Sequence, residues 1–65
     1  MALTKREMQI LELLKDGSYQ KEVAERLSVS TRTIQGHLHH VYKKLGVRNI
    51  REAILKLDEY TNVKG

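Results

Sequence analysis

The chain has 65 residues, with 12 Lys and Arg against 8 Asp and Glu for a net charge of +4, and it contains neither cysteine nor proline. A chain this short predicts one domain, residues 1–65, whose thin margin of stability must come from a packed core, since disulfides and thiolate metal sites are excluded. Its apolar runs are too short to span a membrane and nothing in it resembles a secretion signal, so we expect a cytoplasmic protein without membrane contact.

The first predicted helix covers residues 4–16. Thr4 and Glu7 have the spacing of a capping box, in which each side chain accepts a hydrogen bond from the backbone amide of the other residue. Leu3 and Met8 occupy the two positions of a hydrophobic staple, and Gly17 supplies the backbone conformation that ends a helix. The core face of this helix is predicted to carry Ile10, Leu11 and Leu14.

Two further helices are predicted at about 19–27 and 31–45, and they are joined by a very short connection that ends at the cap residue Ser30. This connection has too few residues to bring two helices side by side, which predicts the steep crossing of a helix-turn-helix. Val29 is expected to fill the corner, and Gly46 to end the third helix. The third helix has one apolar face, made up of Ile34, Leu38, Val41, Tyr42 and Leu45.

The fourth predicted helix covers residues 50–60, with Asn49 and Glu52 in the spacing of a second capping box. Residues 61–65 are expected to fray. The four segments together predict an all-α, four-helix domain built around a helix-turn-helix. The core face of the fourth helix is predicted to carry Ile50, Ala53, Ile54, Leu57 and Tyr60.

The positive excess of the chain lies in residues 31–48, which hold four basic residues and no acidic one, while the segments before and after are balanced. A helix turns about 100° per residue, so the side of the third helix opposite its core face carries Arg32, Gly36, His39 and Lys43, flanked by Gln35 and His40. Cations and hydrogen-bond donors without a carboxylate fit double-stranded DNA. The alternatives are a merely solvated basic face and, at Gly36, a tolerated glycine.

Four motifs are spaced along the chain. They are Leu3-Thr4-x-Arg6-Glu7; Gly17 followed by Lys21-Glu22-Val23-Ala24; Leu27-x-Val29-Ser30-x-x-Thr33-Ile34-x-x-His37; and Lys44-Leu45-Gly46-Val47-x-Asn49 leading to Glu52-Ala53. In this order and register they resemble the LuxR/FixJ/GerE type of bacterial transcription regulator, from Leu3 to about Leu57. In that family a receiver module, as in response regulators, or a ligand-binding module commonly precedes the domain.

The resemblance implies sequence-specific binding of double-stranded DNA for transcription regulation, without enzymatic activity or a cofactor. It places the third helix in the major groove and pairs two copies as a homodimer through the fourth helix. RNA polymerase is a further candidate partner, and the bound protein is expected in the bacterial nucleoid. By correspondence of position, base contacts fall on Gln35, Gly36 and His39. Phosphate contacts fall on Lys21, Thr33 and Lys43, with Arg32 and Gln20 as secondary candidates.

The sequence departs from the family pattern at Gln35, at Gly36, at residues 18–20 and at Ile50. The family usually has Lys at the position of Gln35 and a small or branched apolar residue at that of Gly36. Because the glutamine side chain can form two hydrogen bonds with adenine, we expect an A·T step in each half-site. The usual Tyr-Ser-Asn before the second helix is Ser18-Tyr19-Gln20 here, which removes a serine cap. Ile50 replaces an arginine and, with Leu55, is our candidate for the dimer contact, the alternative being isolated exposed apolar side chains.

Other functions fit parts of the sequence. Region four of a bacterial sigma factor, which binds promoter DNA, also resembles residues 18–24 and Val29-Ser30, but it leaves the motif at 44–47 unexplained. A small helical adaptor that binds an acidic protein also fits the basic face. Such an adaptor would lack an affinity for DNA that falls steeply as the salt concentration rises. His37 and His40 are spaced for a metal pair, yet residues 31–48 offer no third ligand, so no metal site is predicted. Scattered carboxylates and a small core predict no enzyme.

Overall fold

The computed structural model describes the backbone of residues 3–64 and the side chains of residues 3–59. The described residues form no strand, so the all-α prediction is confirmed, and the fold consists of the four helices α1 (Lys5–Lys15), α2 (Gln20–Arg26), α3 (Thr31–Leu45) and α4 (Ile50–Lys64).

The end of α4 differs from the prediction. We expected fraying after residue 60, but the helix continues to Lys64, since no glycine or proline interrupts it. The place predicted for Tyr60 on the core face lies outside the described side chains.

The N-termini of the helices are closed by side chains close to them in sequence. At α1 the predicted capping box is present: Thr4 Oγ1 accepts from the Glu7 amide at 3.1 Å, and Glu7 Oε1 accepts from the Thr4 amide at 2.8 Å. At α3, Ser30 Oγ accepts from the Thr33 amide at 3.1 Å, as its cap role predicts. These bonds satisfy amides that would otherwise have no partner in the first helical turn.

The caps of α2 and α4 differ from this pattern. Tyr19 gives α2 no side-chain cap, as the missing serine predicts, and Glu22 Oε1 instead accepts from the Tyr19 amide at 2.8 Å. At α4, Asn49 Oδ1 accepts from the Glu52 amide at 3.0 Å, but the Glu52 carboxylate accepts from Arg48, at 2.9 Å, rather than from Asn49. The reciprocal half of the second predicted capping box is therefore wrong, since the Glu52 carboxylate accepts from the amide one residue earlier, that of Arg48.

Three helices end in the same kind of turn, in which one residue adopts a left-handed backbone. Gly17 has φ +101° and Gly46 has φ +68°, as their predicted roles require, and Ser28 takes the equivalent place after α2 with φ +59°. Each turn is closed by a backbone hydrogen bond to a carbonyl five residues earlier, from Ser18 to Leu13 (3.2 Å), from Val29 to Ala24 (2.9 Å) and from Val47 to Tyr42 (3.0 Å).

All four helices contribute to one apolar core. Burial of a Val, Leu or Ile side chain is worth about 1.5–3 kcal/mol, so this cluster supplies most of the stabilisation. Helix α3 packs against each of the other three helices, and the corner residue Val29 packs on the core as predicted. The buried apolar residues are Ile10, Leu11, Val23, Ala24, Ile34, Leu38, Val41, Ala53 and Leu57.

Candidate nucleic-acid interface

Helix α3 turns its apolar side into the core and leaves the opposite side in solvent. Ile34 and Val41 have no exposed surface and Leu38 almost none. The exposure predicted from the periodicity is confirmed at each position on the opposite side, a set that we call the α3 ridge and that consists of Arg32, Gln35, Gly36, His39, His40 and Lys43.

The α3 ridge carries positive charge and hydrogen-bond donors without an acidic side chain. Among the described side chains, neither Arg32 nor Lys43 forms an ion pair, so both cations stay available to an external anion. The rings of His39 and His40 lie side by side, with centroids 6.4 Å apart and planes tilted by 51°. The ridge therefore combines two free cations with the donors and acceptors that can read base edges.

Gly36 lies at the centre of the ridge. It is helical and exposed, and a Cβ added to it would meet no other atom within 4 Å. Neither crowding nor a left-handed backbone therefore requires a glycine at this place, although glycine costs a helix about 1 kcal/mol relative to alanine.

The remaining candidates for phosphate contacts lie at the starts of α2 and α3. Lys21 and Thr33 are exposed, and Gln20 is half-buried at the first position of α2. The Thr33 Oγ1 atom lies 3.1 Å from Ser30 Oγ, so its hydroxyl is already held by the α3 cap.

Lys44 does not belong with the free cations, although the sequence counts it in the acid-free segment. Its Nζ atom donates to Glu7 Oε1 at 2.7 Å, which joins the end of α3 to the start of α1. The side chain of Glu7 is only 4% exposed and that of Lys44 is 26% exposed. Sequence reasoning missed this pair, although a signal was present: Glu7 lies three and four residues before the core positions Ile10 and Leu11.

Burial of the Glu7 carboxyl raises its pKa, but the effects that lower this pKa are larger in sum. The hydrogen bond and the charge of Lys44, with the two hydrogen bonds at Thr4, hold the pKa of Glu7 below its ordinary value. Burial also raises the pKa of the Tyr42 hydroxyl on the half-buried flank of α3. The Glu7 carboxylate is therefore charged at neutral pH and keeps Lys44 beside it.

The two candidate residues for a dimer contact differ in exposure. Leu55 is 57% exposed on α4, one of the two most exposed large apolar residues among the described side chains. Ile50 is half-buried and packs against the core, so only part of its surface is open to a partner. Leu55 lines a shallow groove with Gly46 and Val47.

The described side chains contain no group of three or more His, Cys, Asp or Glu residues placed to hold a metal ion, and His37 and His40 gain no third ligand. In the part of the chain that the structure describes, no helix has the length and apolar character needed to cross a membrane.

Residues 1–57 match the family described as bacterial regulatory proteins, luxR family. The chain belongs to the luxR family. This match extends from the first helix into α4 and includes the whole α3 ridge. Family membership implies a DNA-binding domain of a transcription regulator, which is not a class of enzyme, and it agrees with the resemblance carried by the four motifs.

Individual relatives agree with this assignment to the luxR family. The oxygen regulatory protein NreC of Staphylococcus aureus, in strains JH9 and NCTC 8325, is 42% identical over 52 residues, which cover 80% of this chain and 24% of NreC. The fold matches the crystal structure of the response regulator ChrA from a heme-sensing two-component system, with a TM-score of 0.88, 38% identity, and 94% of this chain and 30% of ChrA covered. The chain spans about a quarter of the length of the curated relatives it matches.

Proposed function

We propose that this luxR-family domain binds double-stranded DNA in a sequence-specific manner, with α3 in the major groove and the α3 ridge against the base pairs. The observation that carries the proposal is the division of α3 into two sides, one buried against three helices and the other exposed, donor-rich and free of acid. The major groove of B-DNA is wide enough to admit such a helix.

The base contacts are assigned to Gln35, Gly36 and His39. All three are exposed, and Gln35 offers an amide that can both donate to and accept from one adenine, which favours an A·T pair in each half-site. His39 offers a ring nitrogen on the same surface.

The phosphate contacts are assigned to side chains that carry charge or a hydroxyl but no base preference. Arg32 and Lys43 are exposed on the ridge, and Lys21 and Thr33 are exposed at the starts of α2 and α3. Contacts of this kind place the domain on the duplex and make its affinity fall with salt, with a slope of log K against log salt of about −0.9 for each phosphate neutralised.

Two copies are proposed to pair through α4, with Leu55 at the centre of the contact and the open part of Ile50, about 140° away around the helix axis, as the second candidate. A single module makes few base contacts, so two copies on half-sites about one helical turn apart would supply the affinity that one lacks. In this arrangement the homodimer lies on chromosomal DNA in the nucleoid, and RNA polymerase is the further partner that we propose at a promoter.

The function can be tested by selecting bound sequences from random duplex DNA and measuring two variants on the selected site. Gln35→Ala is expected to lose about 1–3 kcal/mol on the selected site and little on a scrambled duplex, because it removes a base contact. Lys43→Ala is expected to weaken both duplexes alike and to lower the salt slope, because it removes a phosphate contact.

A matched control is Lys5→Ala, which removes the same charge from an exposed position on α1. It should change affinity much less than Lys43→Ala does. Equal losses for the two lysine variants, or a Gln35→Ala variant that loses affinity equally on selected and scrambled DNA, would contradict the assignment of the α3 ridge as the reading surface.

A further inference from the structure

Because Gly36 has no side chain, the α3 ridge is lowest at its backbone, which forms the floor of a depression between longer side chains. On a helix surface, residues three and four positions apart are neighbours. The four residues at these distances from Gly36 are all exposed and all longer than glycine, and they form the rim of the depression: Arg32, Thr33, His39 and His40. We call this depression the Gly36 notch.

The floor of the Gly36 notch is apolar. Gly36 lies in the middle of α3, where backbone amides and carbonyls bond to each other along the helix, so only the Cα–H groups face outward. A Cβ added here would meet no other atom within 4 Å, so the space above the floor is empty. A phosphate or a polar base atom would therefore find no partner on this floor, whereas a methyl-sized apolar group would lose nothing there.

The chemistry of the rim indicates which kind of molecule would supply this apolar group. It has a cation, a hydroxyl and two imidazoles, with Lys43 one turn further along and no acidic residue in residues 31–48. This is the surface that we propose to face DNA, and the following inference rests on that function. In the major groove, base edges present donors and acceptors and a single kind of apolar group, the C5-methyl of thymine.

We propose that the Gly36 notch accepts the C5-methyl group of one thymine in each half-site, so that the missing side chain itself determines sequence preference. The rim residues then stand around the methyl group and reach the neighbouring base edges and phosphates. Gly36 is a specificity determinant by this arrangement, through the space it leaves rather than through a contact made by a side chain.

The first test uses the unmodified protein. In the duplex obtained by selection, each thymine is replaced in turn by uracil, which keeps the base pairing and lacks only the C5-methyl group. One thymine in each half-site is expected to weaken binding about fourfold when its methyl group is removed, while the other thymines serve as internal controls. Affinities that stay within twofold at every position would contradict the proposal that the Gly36 notch holds a thymine methyl group.

The second test fills the notch from the protein side with Gly36→Ala. This variant remains folded, since the added methyl group meets no atom of the chain, and its melting temperature is expected to rise by about 4–8 °C. On the thymine duplex it should bind at least about fivefold more weakly than the unmodified protein, because two methyl groups would compete for one space.

The decisive result is the combination of the two changes. With Gly36→Ala, the uracil substitution at the sensitive position should strengthen binding instead of weakening it, because the alanine methyl then takes the place of the thymine methyl. If the uracil substitution has the same effect with either protein, the notch does not hold that methyl group. If the unmodified protein binds the selected and scrambled duplexes equally, the proposed function itself fails, and the two failures are therefore distinguishable.

Discussion

At the scale of single residues, Ser28 takes a backbone conformation that its side chain disfavours. Among the described residues it is the one non-glycine residue with positive φ, at +59°. A Cβ in this region lies close to the following carbonyl and costs about 1–2 kcal/mol, and helices usually place glycine there. The serine occurs in the bend between α2 and α3, so the helix-turn-helix corner holds a small amount of strain.

Replacing Ser28 with glycine should therefore stabilise the domain. We expect Ser28→Gly to raise the free energy of unfolding by about 0.5–1 kcal/mol, less than the full cost of the strain because glycine also gives the unfolded chain more freedom. Each 1 kcal/mol corresponds to about 4–8 °C in melting temperature for a domain of this size, which circular dichroism can follow.

Ser18→Gly is the matched control, because Ser18 follows α1 and is not among the residues with positive φ. This substitution adds the same freedom to the unfolded chain without relieving strain, so it should destabilise the domain slightly. A Ser28→Gly variant no more stable than the Ser18→Gly variant would show that the serine is not strained.

At the scale of the helices, the sequence predicted faces and boundaries well because both depend on neighbours within a few residues. The exposed side of α3 followed from a spacing of three and four residues, and the ends at Gly17 and Gly46 followed from the backbone needs of one residue each. Local spacing can place a residue such as Glu7 on the core face, but it does not show which residue of another helix it meets. Lys44 therefore counted with the cations of α3, although it is bound to Glu7, a residue 37 positions away.

The Glu7–Lys44 pair predicts how stability depends on pH. The pKa of Glu7 is lower in the folded state than its ordinary value of 4.5, so the pair contributes fully above about pH 4.5, and the contribution is lost as the pH falls through the lower pKa of the folded protein. Glu7→Gln should cost about 1–3 kcal/mol at pH 7, because it replaces a charged hydrogen bond at a buried position.

The same variant should lose part of the acid sensitivity. Urea unfolding measured between pH 7 and pH 2 is expected to show that the difference between Glu7→Gln and the unmodified protein shrinks on the acid side. Glu12→Gln, at an exposed site on the same helix, is the control and should leave the curve nearly unchanged. A difference for Glu7→Gln that stays constant over the whole range would mean that the carboxylate contributes no charge-dependent stability.

At the scale of the whole molecule, Leu55 is the exposed apolar residue through which we expect two copies to meet. Leu55→Gln keeps the net charge, so long-range attraction to DNA is unchanged, and an exposed site tolerates the substitution within about 0.5 kcal/mol. We expect the variant to bind a single half-site as before and to lose the gain in affinity that a second half-site gives, as measured by fluorescence anisotropy on duplexes with one and two half-sites.

Gln9→Ala, a neutral change at an exposed position on α1, is the control and should keep the full gain. Should Leu55→Gln retain the gain from the second half-site, the two copies do not meet at this position. The sequence could identify Leu55 because it falls off the core spacing of α4, and the same spacing placed Ile50 on the core face, where it packs.

The packing of α3 against α1, α2 and α4 bears on the entropy of binding. In the proposed complex α3 is a preorganised reading helix: it already packs against three helices in the free protein, so we expect docking to immobilise mainly the long side chains of the ridge, at about 0.5–1.5 kcal/mol each. Binding also affects folding. A ligand that binds only the folded protein, at a free concentration of 100 times its dissociation constant, stabilises it by about 2.7 kcal/mol, and because α3 contacts every other helix this protection extends to the entire fold.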